Sequence, residues 1–269
     1  MRDIREALRV EPGSTVDLSE VDPADTSLVG SKDKAKEHLQ SDAERIDELQ
    51  NRLFAEGKRA LLVILQGMDT SGKDGTVRAV FSVVGPHGVT VTSFQKPSTE
   101  ELSHDFLWRV HRACPPRGTI GIFNRSQYED VLVGRVRGLA SPEVIEHRYS
   151  QINAFEDLIS SSTRILKFML HISKEEQRER LQARLDDPEK HWKFNPSDLE
   201  DRKLWDDYQE AYEVMLSRCS TEVAPWYVVP SDKKWARNAA IASVVRHTLE
   251  DMDPRYPKPP WSPEDFVIE

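Results

Sequence analysis

The chain has 269 residues, of which 38% are hydrophobic, and it carries a formal net charge of −9. A chain of this length can bury a full core, so one main domain is expected. Its acidic balance argues against a general binder of nucleic acid or of anionic membranes, because both partners are themselves negatively charged.

The first residues show no targeting segment. They lack an apolar core, and no window of the chain approaches the roughly 18 apolar residues of a membrane span. Cys114 and Cys219 are far apart and belong to no zinc-ligand or disulfide pattern. We therefore expect a cytoplasmic protein with two reduced thiols and with neither a nucleic-acid nor a membrane partner.

Short apolar runs alternate with longer amphipathic segments along the chain. Candidate strands occupy residues 60–66, 89–94, 118–123, 164–172 and 225–230. Predicted helices occupy residues 31–56, 73–84, 99–112, 126–137, 142–160, 174–185, 198–217 and 232–251. Because near-continuous apolar strands are typical of sheets covered on both faces, the pattern predicts an α/β fold of three layers around a five-stranded parallel sheet.

The two ends of the chain differ from its middle. Residues 1–30 predict an irregular N-terminal arm, and residues 254–269 form a Pro-rich tail that cannot continue a helix. Residues 31–253 are interpreted as a single domain with a helical lid inserted at about 174–205. The predicted helix 31–56 has an apolar stripe, which indicates packing onto the domain or onto a neighbouring subunit.

The first predicted strand runs into GMDTSGKDG, residues 67–75, which has the G-x-x-x-x-G-K spacing of a phosphate-binding loop. A helix follows at once, so backbone N–H groups and the helix N-terminus would converge on phosphate oxygens. Lys73 is the cation expected to reach the transferred group. Gly67, Gly72 and Gly75 would let the backbone approach the ligand closely.

Two carboxylates distinguish this loop. Asp74 stands where the usual motif has the Ser or Thr that helps to hold Mg²⁺, and Asp69 lies inside the loop. A lone carboxylate beside phosphates would repel them, so a divalent cation bound at Asp69 is the more economical interpretation. Asp74 is explained equally well as a first-turn residue that complements the helix dipole.

The third predicted strand ends in NRSQYED, residues 124–130. In open parallel sheets the ligand lies beyond the carboxyl ends of the strands, so this turn should face the phosphate loop. Arg125 is a candidate for binding phosphate oxygens and for stabilising charge during transfer. Glu129 and Asp130 follow, and an acidic first helical turn is the alternative explanation for both.

The segment after the fourth strand is basic. Arg180 and Arg184 lie four residues apart and so share one helix face. Such a helix on its own is more often a solvated surface. Opposite a phosphate loop, in an acidic chain, it predicts an anion clamp. Further charge around it comes from Arg178, Lys190, His191 and Lys193.

Two other residues belong with this basic segment. Lys96, after the second strand, is a further candidate for lining a phosphate channel. Trp192 lies among the basic residues of the lid, where it either stacks on a nucleobase or packs under the lid. Packing under the lid is the slightly favoured interpretation.

Five ordered blocks, among them GMDTSGKDGTVRAVF, GTIGIFNRSQYEDVLVGRV and APWYVVPSDKKWARN, resemble the polyphosphate kinase type 2 family. The resemblance implies a fold similar to thymidylate kinase and a phosphotransferase that uses inorganic polyphosphate as donor. It also implies Mg²⁺ as cofactor, with Mn²⁺ as an alternative ion. AMP, ADP or both are the implied acceptors, and guanine nucleotides are further candidates. Gln127 departs from the aromatic residue or His expected in many relatives.

The resemblance also implies roles for particular residues. Asp69 and Lys73 match catalytic positions of the loop, and Arg125 matches a phosphate-binding arginine. Glu129 and Asp130 match acidic residues linked to the acceptor nucleotide and the metal. Asp69, Lys73, Arg125 and Asp130 are thus the expected catalytic residues, with Asp69 and Asp130 as metal ligands.

Two other functions remain open from the sequence, and so does the oligomeric state. One is an ATP-dependent nucleoside monophosphate kinase, which shares the loop and the lid. The other is a non-catalytic protein that binds nucleotide or polyphosphate. A homo-oligomer, dimer or tetramer, is expected if the apolar stripe of helix 31–56 is exposed.

Overall fold

Five strands form one parallel sheet in the order β2-β3-β1-β4-β5 in the computed structural model, which describes residues 3–268. The apolar runs of β1, β3 and β4 are almost entirely buried, as expected of strands covered on both faces. The predicted five-stranded parallel sheet is therefore confirmed. The strands are β1 (Ala60–Gln66), β2 (Val89–Ser93), β3 (Ile120–Asn124), β4 (Thr163–His171) and β5 (Trp226–Pro230).

Helices cover both faces of this sheet. They are α1 (Ile4–Leu8), α2 (Lys32–Glu56), α3 (Lys73–Phe81), α4 (Thr99–Leu102), α5 (Trp108–Ala113), α6 (Glu129–Val136), α7 (Pro142–Ser160), α8 (Lys174–Leu185), α9 (Ser197–Lys203), α10 (Trp205–Cys219) and α11 (Lys234–Met252). Short 3-10 helices lie at Leu18–Glu20, Pro188–Lys193 and Pro263–Asp265. One core cluster joins α6, α7 and α10 to the sheet, and a second joins α2, α3 and α11 to its other face.

Two predicted helices are each divided in two. Residues 99–112 become α4 and α5, because the Asp105 side chain accepts a hydrogen bond from the backbone N–H of Leu107 and so competes with a continuous helix. Residues 198–217 are divided at Leu204, whose φ of −96° and ψ of 25° are not helical.

The long helix α2 packs inside the domain. Its Ile46, Leu49 and Leu53 are buried in the core cluster that also contains α11. Packing onto the domain is thus the observed explanation of the apolar stripe. The stripe gives no support to a homo-oligomer, which stays a prediction.

The N-terminal arm is more regular than predicted. It begins with α1 and continues along the edge of the sheet, where the N–H of Val10 donates to the carbonyl of Trp226 over 2.8 Å. Arg9 and Tyr227 form an isolated antiparallel bridge. Because β5 is an edge strand with unpaired backbone groups, the arm satisfies part of that edge.

Both cysteines are free thiols within the described part of the chain, as expected. Burial raises the pKa of Cys114 to about 11 and that of Cys219 to about 12, so neither is a reactive thiolate near neutral pH. Between residues 3 and 268, no helix is both long enough and apolar enough to cross a membrane.

Candidate active site

The loop after β1 forms a tight backbone cradle. Gly67 has φ 147° and Gly72 has φ 106°, which side chains with a Cβ rarely adopt. An added Cβ would lie 2.7 Å from the Leu170 carbonyl oxygen at Gly67 and 1.9 Å from Nη1 of Arg237 at Gly72. Both positions therefore require glycine. At Gly75 the nearest atom to an added Cβ is 3.4 Å away, so close approach does not require glycine there.

Lys73 is the first residue of α3 and lies under this loop. Its Nζ donates to the carbonyl oxygens of Gly67 at 2.7 Å and of Met68 at 3.3 Å. Burial and the nearby Arg125 lower the pKa of Lys73 to about 8, against the opposing pull of carboxylates such as Asp69. The cation is thus held by the cradle and poorly solvated, so a phosphate anion would stabilise it.

Arg125 and Asp69 meet where neighbouring strands end. The strands β1 and β3 are adjacent and parallel, so the loops at their carboxyl ends lie side by side. Nη2 of Arg125 donates to Oδ1 of Asp69 at 2.6 Å, and Nη1 donates to Oε2 of Glu129 at 3.4 Å. The turn after β3 therefore faces the phosphate loop.

Asp74 accepts a hydrogen bond from Nδ2 of Asn124. Asp74 lies in the first turn of α3, and Asn124 is the last residue of β3. The carboxylate that replaces the usual hydroxyl thus links the helix of the phosphate loop to the neighbouring strand end. Its position still complements the helix dipole.

A cavity of about 760 Å³ opens above the phosphate loop, between the ends of β2 and β3 and the lid. Among the described lining residues, the carboxylates are Asp69 and Asp74, and basic side chains are far more numerous. A charge balance of this kind favours a polyanion with several phosphate groups. The basic lining residues are Lys73, Lys96, Arg125, Arg180, Arg184, Lys190, Lys193, Lys234 and Arg237.

The segment predicted to form a lid contains α8, the 3-10 helix Pro188–Lys193 and α9, and it is called the lid below. Arg180 ties it to the phosphate loop, where Nη1 donates to the Thr70 carbonyl at 2.9 Å, and to the end of β5, where Nη2 donates to the Ser231 carbonyl at 2.8 Å. Arg184 lies further along α8, where Nη1 donates to the Lys193 carbonyl at 3.0 Å. The predicted grouping of basic lid residues with the phosphate loop is therefore present in the structure.

Three residues of the predicted lid cluster are placed differently. Arg178 is exposed on α8 and lies outside the described cavity lining. His191 bonds through Nε2 to the Leu185 carbonyl at 2.9 Å. Trp192 is 79% exposed, so the favoured interpretation that it packs under the lid is wrong. Nζ of Lys193 lies over its ring, 4.9 Å from the ring centroid.

Asp130 is not among the described residues that line the cavity. Its carboxylate lies 3.7 Å from Nη1 of Arg148 and 4.0 Å from Nη2 of Arg109, and burial raises its pKa. Glu129, by contrast, lines a small pocket together with Asp69. The structure thus places Glu129, rather than Asp130, beside Asp69. The catalytic and metal roles of Asp130 stay predictions.

Arg237 is a cavity residue that the sequence motifs did not single out. It is 2% exposed, and Nη1 donates to the Ser71 carbonyl at 2.7 Å. Burial and the nearby Arg180 lower its pKa to about 9, and no carboxylate pairs with it among the described residues. A buried cation of this kind is suited to an anion. The sequence feature that could have identified Arg237 is the basic segment KKWARN. It follows β5 at the same edge of the sheet as the phosphate loop.

A divalent cation fits this site only if the substrate supplies part of its coordination. Among residues 3–268, no group of three or more His, Cys, Asp or Glu side chains is arranged to hold a metal. Mg²⁺ usually keeps several waters and binds through one or two carboxylates plus phosphate oxygens. The Asp69 carboxylate at the mouth of a phosphate cavity matches that donor set.

Comparison with known proteins gives consistent matches over nearly the whole chain. The sequence profile of the family described as Polyphosphate kinase 2 matches residues 29–257. The AMP/ADP-polyphosphate phosphotransferase of Meiothermus ruber is 51% identical, over 97% of this chain and 98% of the relative. The ADP-polyphosphate phosphotransferase of Rhodopseudomonas palustris is 44% identical, over 93% of this chain and 91% of the relative. A crystal structure of polyphosphate kinase 2 from Arthrobacter aurescens superposes with a TM-score of 0.94 at 45% identity, covering 98% of this chain and 95% of that one.

Proposed function

The chain belongs to the polyphosphate kinase 2 family, and we propose that its basic cavity binds inorganic polyphosphate for phosphoryl transfer to both AMP and ADP. Membership makes it a polyphosphate-dependent nucleotide kinase, a phosphotransferase. The observation that carries the donor assignment is the run of cations above the phosphate loop, which exceeds what a single nucleotide requires. Dual acceptor use is supported by the relative from Meiothermus ruber, which is named for both AMP and ADP.

The chain's own residues can perform most of this chemistry by positioning and charge neutralisation. Lys73 and Arg125 would bind the oxygens of the transferred phosphoryl group, and the lid arginines Arg180 and Arg184 would hold the following units. The attacking oxygen of AMP or ADP is already anionic, so no strong general base is required. Closure of the lid over the cavity would exclude water and limit hydrolysis of the donor.

Kinases of this family use a divalent cation, and we propose that it is Mg²⁺, held through Asp69. The ion would neutralise charge on the phosphates of donor and acceptor. Glu129 lies close to Arg125 and is better situated than Asp130 to orient that guanidinium or to bind water around the ion.

Acceptor use is tested by supplying AMP or ADP separately with long-chain polyphosphate and Mg²⁺, without any nucleoside triphosphate. We expect ADP to yield ATP, and AMP to yield ADP first and ATP later, as separated by ion-exchange chromatography. Formation of product from only one of the two nucleotides would overturn dual acceptor use. Product from AMP only when ATP replaces polyphosphate would identify the ATP-dependent monophosphate kinase instead.

Polyphosphate binding is expected to weaken about 10-fold between pH 7 and pH 9 in the absence of divalent cations, if only protonated Lys73 binds phosphate. The physical reason is the lowered pKa of Lys73, about 8 in the free enzyme, above which the cation is lost. Dissociation constants from isothermal titration calorimetry at each pH measure the effect. Lys73→Arg stays charged throughout this range, so the same dependence in that variant would contradict the assignment to Lys73.

Arg237→Met is expected to raise the KM for polyphosphate about 10-fold or more, since a hydrogen bond to a charged group contributes roughly 1.5–3 kcal/mol. The KM for ADP should change little, because we place Arg237 on the donor. The melting temperature should stay equal or rise, as a buried cation without a carboxylate partner is removed. Steady-state kinetics with each substrate varied measure the effect, with the exposed Arg117→Met as control. An unchanged KM for polyphosphate would refute the role.

A further inference from the structure

A fully buried ion pair lies behind the turn that carries Arg125. Lys167 on β4 and Glu156 on α7 are both inaccessible to solvent, with Nζ 2.6 Å from Oε2. Nζ also donates to the Cys219 carbonyl at 2.6 Å. Burying two charges costs several kcal/mol per ion, and apolar residues often replace such pairs without loss of stability. The pair therefore calls for an explanation other than stability.

The pair reaches the turn between β3 and α6. Oε1 of Glu156 accepts from the Tyr128 hydroxyl at 2.7 Å and from Nε2 of Gln127 at 3.0 Å. The Lys167 Nζ donates to the same hydroxyl at 2.8 Å. Gln127 and Tyr128 are themselves buried, so two consecutive side chains of the turn are held from the core.

Two residues of the proposed site lie close to these in the sequence. Arg125 is separated from Gln127 by Ser126, and Glu129 directly follows Tyr128. Arg125 has φ 63°, a left-handed conformation that is uncommon for a residue other than glycine. A backbone in such a conformation persists only when its surroundings hold it there. On the cavity side, ion pairs with Asp69 and Glu129 hold the side chain of Arg125.

We infer that Lys167, Glu156 and the Tyr128 hydroxyl are positioning residues for phosphoryl transfer. They anchor the turn in the core, and the anchored turn holds the Arg125 guanidinium between Asp69 and Glu129. None of the three is among the described residues that line the cavity, so any effect on transfer has to pass through the turn that carries Arg125. The inference rests on the function proposed above for that cavity.

Tyr128→Phe is the mildest test, since it removes one hydroxyl from the network and keeps the ring. The expected result is a kcat about 10-fold lower, because small displacements of a positioned group carry large rate penalties. The KM for ADP should stay the same. Thr248→Val is the matched control, since it also removes a buried hydroxyl, one that bonds to the Val244 carbonyl inside α11 far from the turn. It should leave kcat unchanged at a temperature where both variants are folded.

The paired variant Lys167→Met with Glu156→Leu removes both charges together, so no unpaired ion is left in the core. It is expected to fold with a lower melting temperature, because the buried Tyr128 hydroxyl and Gln127 amide lose their acceptor, and to have a kcat lower by about 10-fold or more at a temperature where it is folded. If the pair only stabilised the fold, its removal would leave the rate of transfer unchanged in the folded protein. A folded, fully active paired variant would overturn the inference.

A double-mutant cycle with Arg125→Lys separates positioning from general damage to the fold. If the network acts through the guanidinium, Tyr128→Phe should cause no further loss of kcat in the Arg125→Lys background. Losses that multiply would mean that the network acts independently of Arg125, which refutes the inference.

The activity of the wild type with polyphosphate distinguishes failure of the proposed function from failure of this inference. An inactive wild type defeats the proposed function itself, whereas an active wild type with an equally active Tyr128→Phe variant defeats only the inference.

Discussion

Asp69→Asn is expected to lower the rate of polyphosphate-dependent phosphoryl transfer about 10²-fold or more, because a bound cation contributes several kcal/mol of charge stabilisation. The amide keeps the shape of the carboxylate and an oxygen that can accept from Nη2 of Arg125. The substitution therefore removes mainly the negative charge that we propose holds Mg²⁺. Initial rates of ATP formation at several Mg²⁺ concentrations should show both the lower rate and a weaker apparent affinity for the ion.

Asp74→Asn is the matched control for that substitution, because Asp74 is the other carboxylate of the described cavity lining. Its oxygen accepts from Asn124, and an amide oxygen can accept the same bond. We expect only a few-fold loss of rate, from the weaker interaction with the helix dipole and with the strand end. An Asp69→Asn enzyme as active as the wild type, or a larger loss for Asp74→Asn, would refute the assignment of the metal to Asp69.

Lys73→Met is expected to lower the rate of transfer by about 10³-fold, because several kcal/mol of charge stabilisation are lost from the transition state. The same substitution is expected to make the folded protein more stable. Burial lowers the pKa of Lys73 to about 8 in the folded chain, below its value in the unfolded chain. The charged lysine therefore destabilises the folded state at pH values below about 8, and this destabilisation decreases as the pH rises toward the pKa of the unfolded chain. At pH 7 removal of the charge should stabilise the protein by about 3 kcal/mol at most.

Denaturant titration at pH 7 and at pH 10 measures that stabilisation, which should be smaller at the higher pH. Lys96→Met provides the comparison, since Lys96 lines the same cavity but is exposed. It should affect mainly the KM for polyphosphate and leave stability unchanged. A Lys73→Met protein that is less stable than the wild type, or that keeps a tenth of its activity, would contradict the role given to this buried cation.

Features that depend on local sequence could be predicted well. The glycines at 67 and 72 are required by the backbone conformation of the loop itself, and the strand before it is a continuous apolar run. The meeting of Asp69 with Arg125 followed from a general rule, because carboxyl ends of neighbouring parallel strands lie side by side. These inferences needed no knowledge of distant packing.

Features that depend on contacts between distant segments could not be predicted in this way. Lys167 lies between apolar residues in the middle of β4, and nothing near it in sequence reveals that its partner is Glu156 on α7. Arg237 follows the last strand and reaches the phosphate loop only because α11 packs beside α3. The orientation of Asp130 toward Arg148 and Arg109 is likewise set by segments remote in the chain.

Whether a side chain is exposed also depends on more than local composition. A tryptophan among basic residues can lie on either face of a short 3-10 helix, and local composition does not decide which, so the exposed Trp192 was misplaced. The apolar stripe of α2 was assigned correctly to packing, but the sequence alone could not choose between the domain and a second subunit as its partner.

Formation of ATP from ADP, with long-chain polyphosphate as the only phosphoryl donor, tests the proposed activity directly. The reaction would contain purified protein and Mg²⁺ but no nucleoside triphosphate, and luciferase luminescence would follow ATP over time. We predict ATP in proportion to the polyphosphate phosphate consumed, with no activity when polyphosphate is omitted. Binding of polyphosphate and ADP without formation of ATP, in a folded protein supplied with Mg²⁺, would contradict the account.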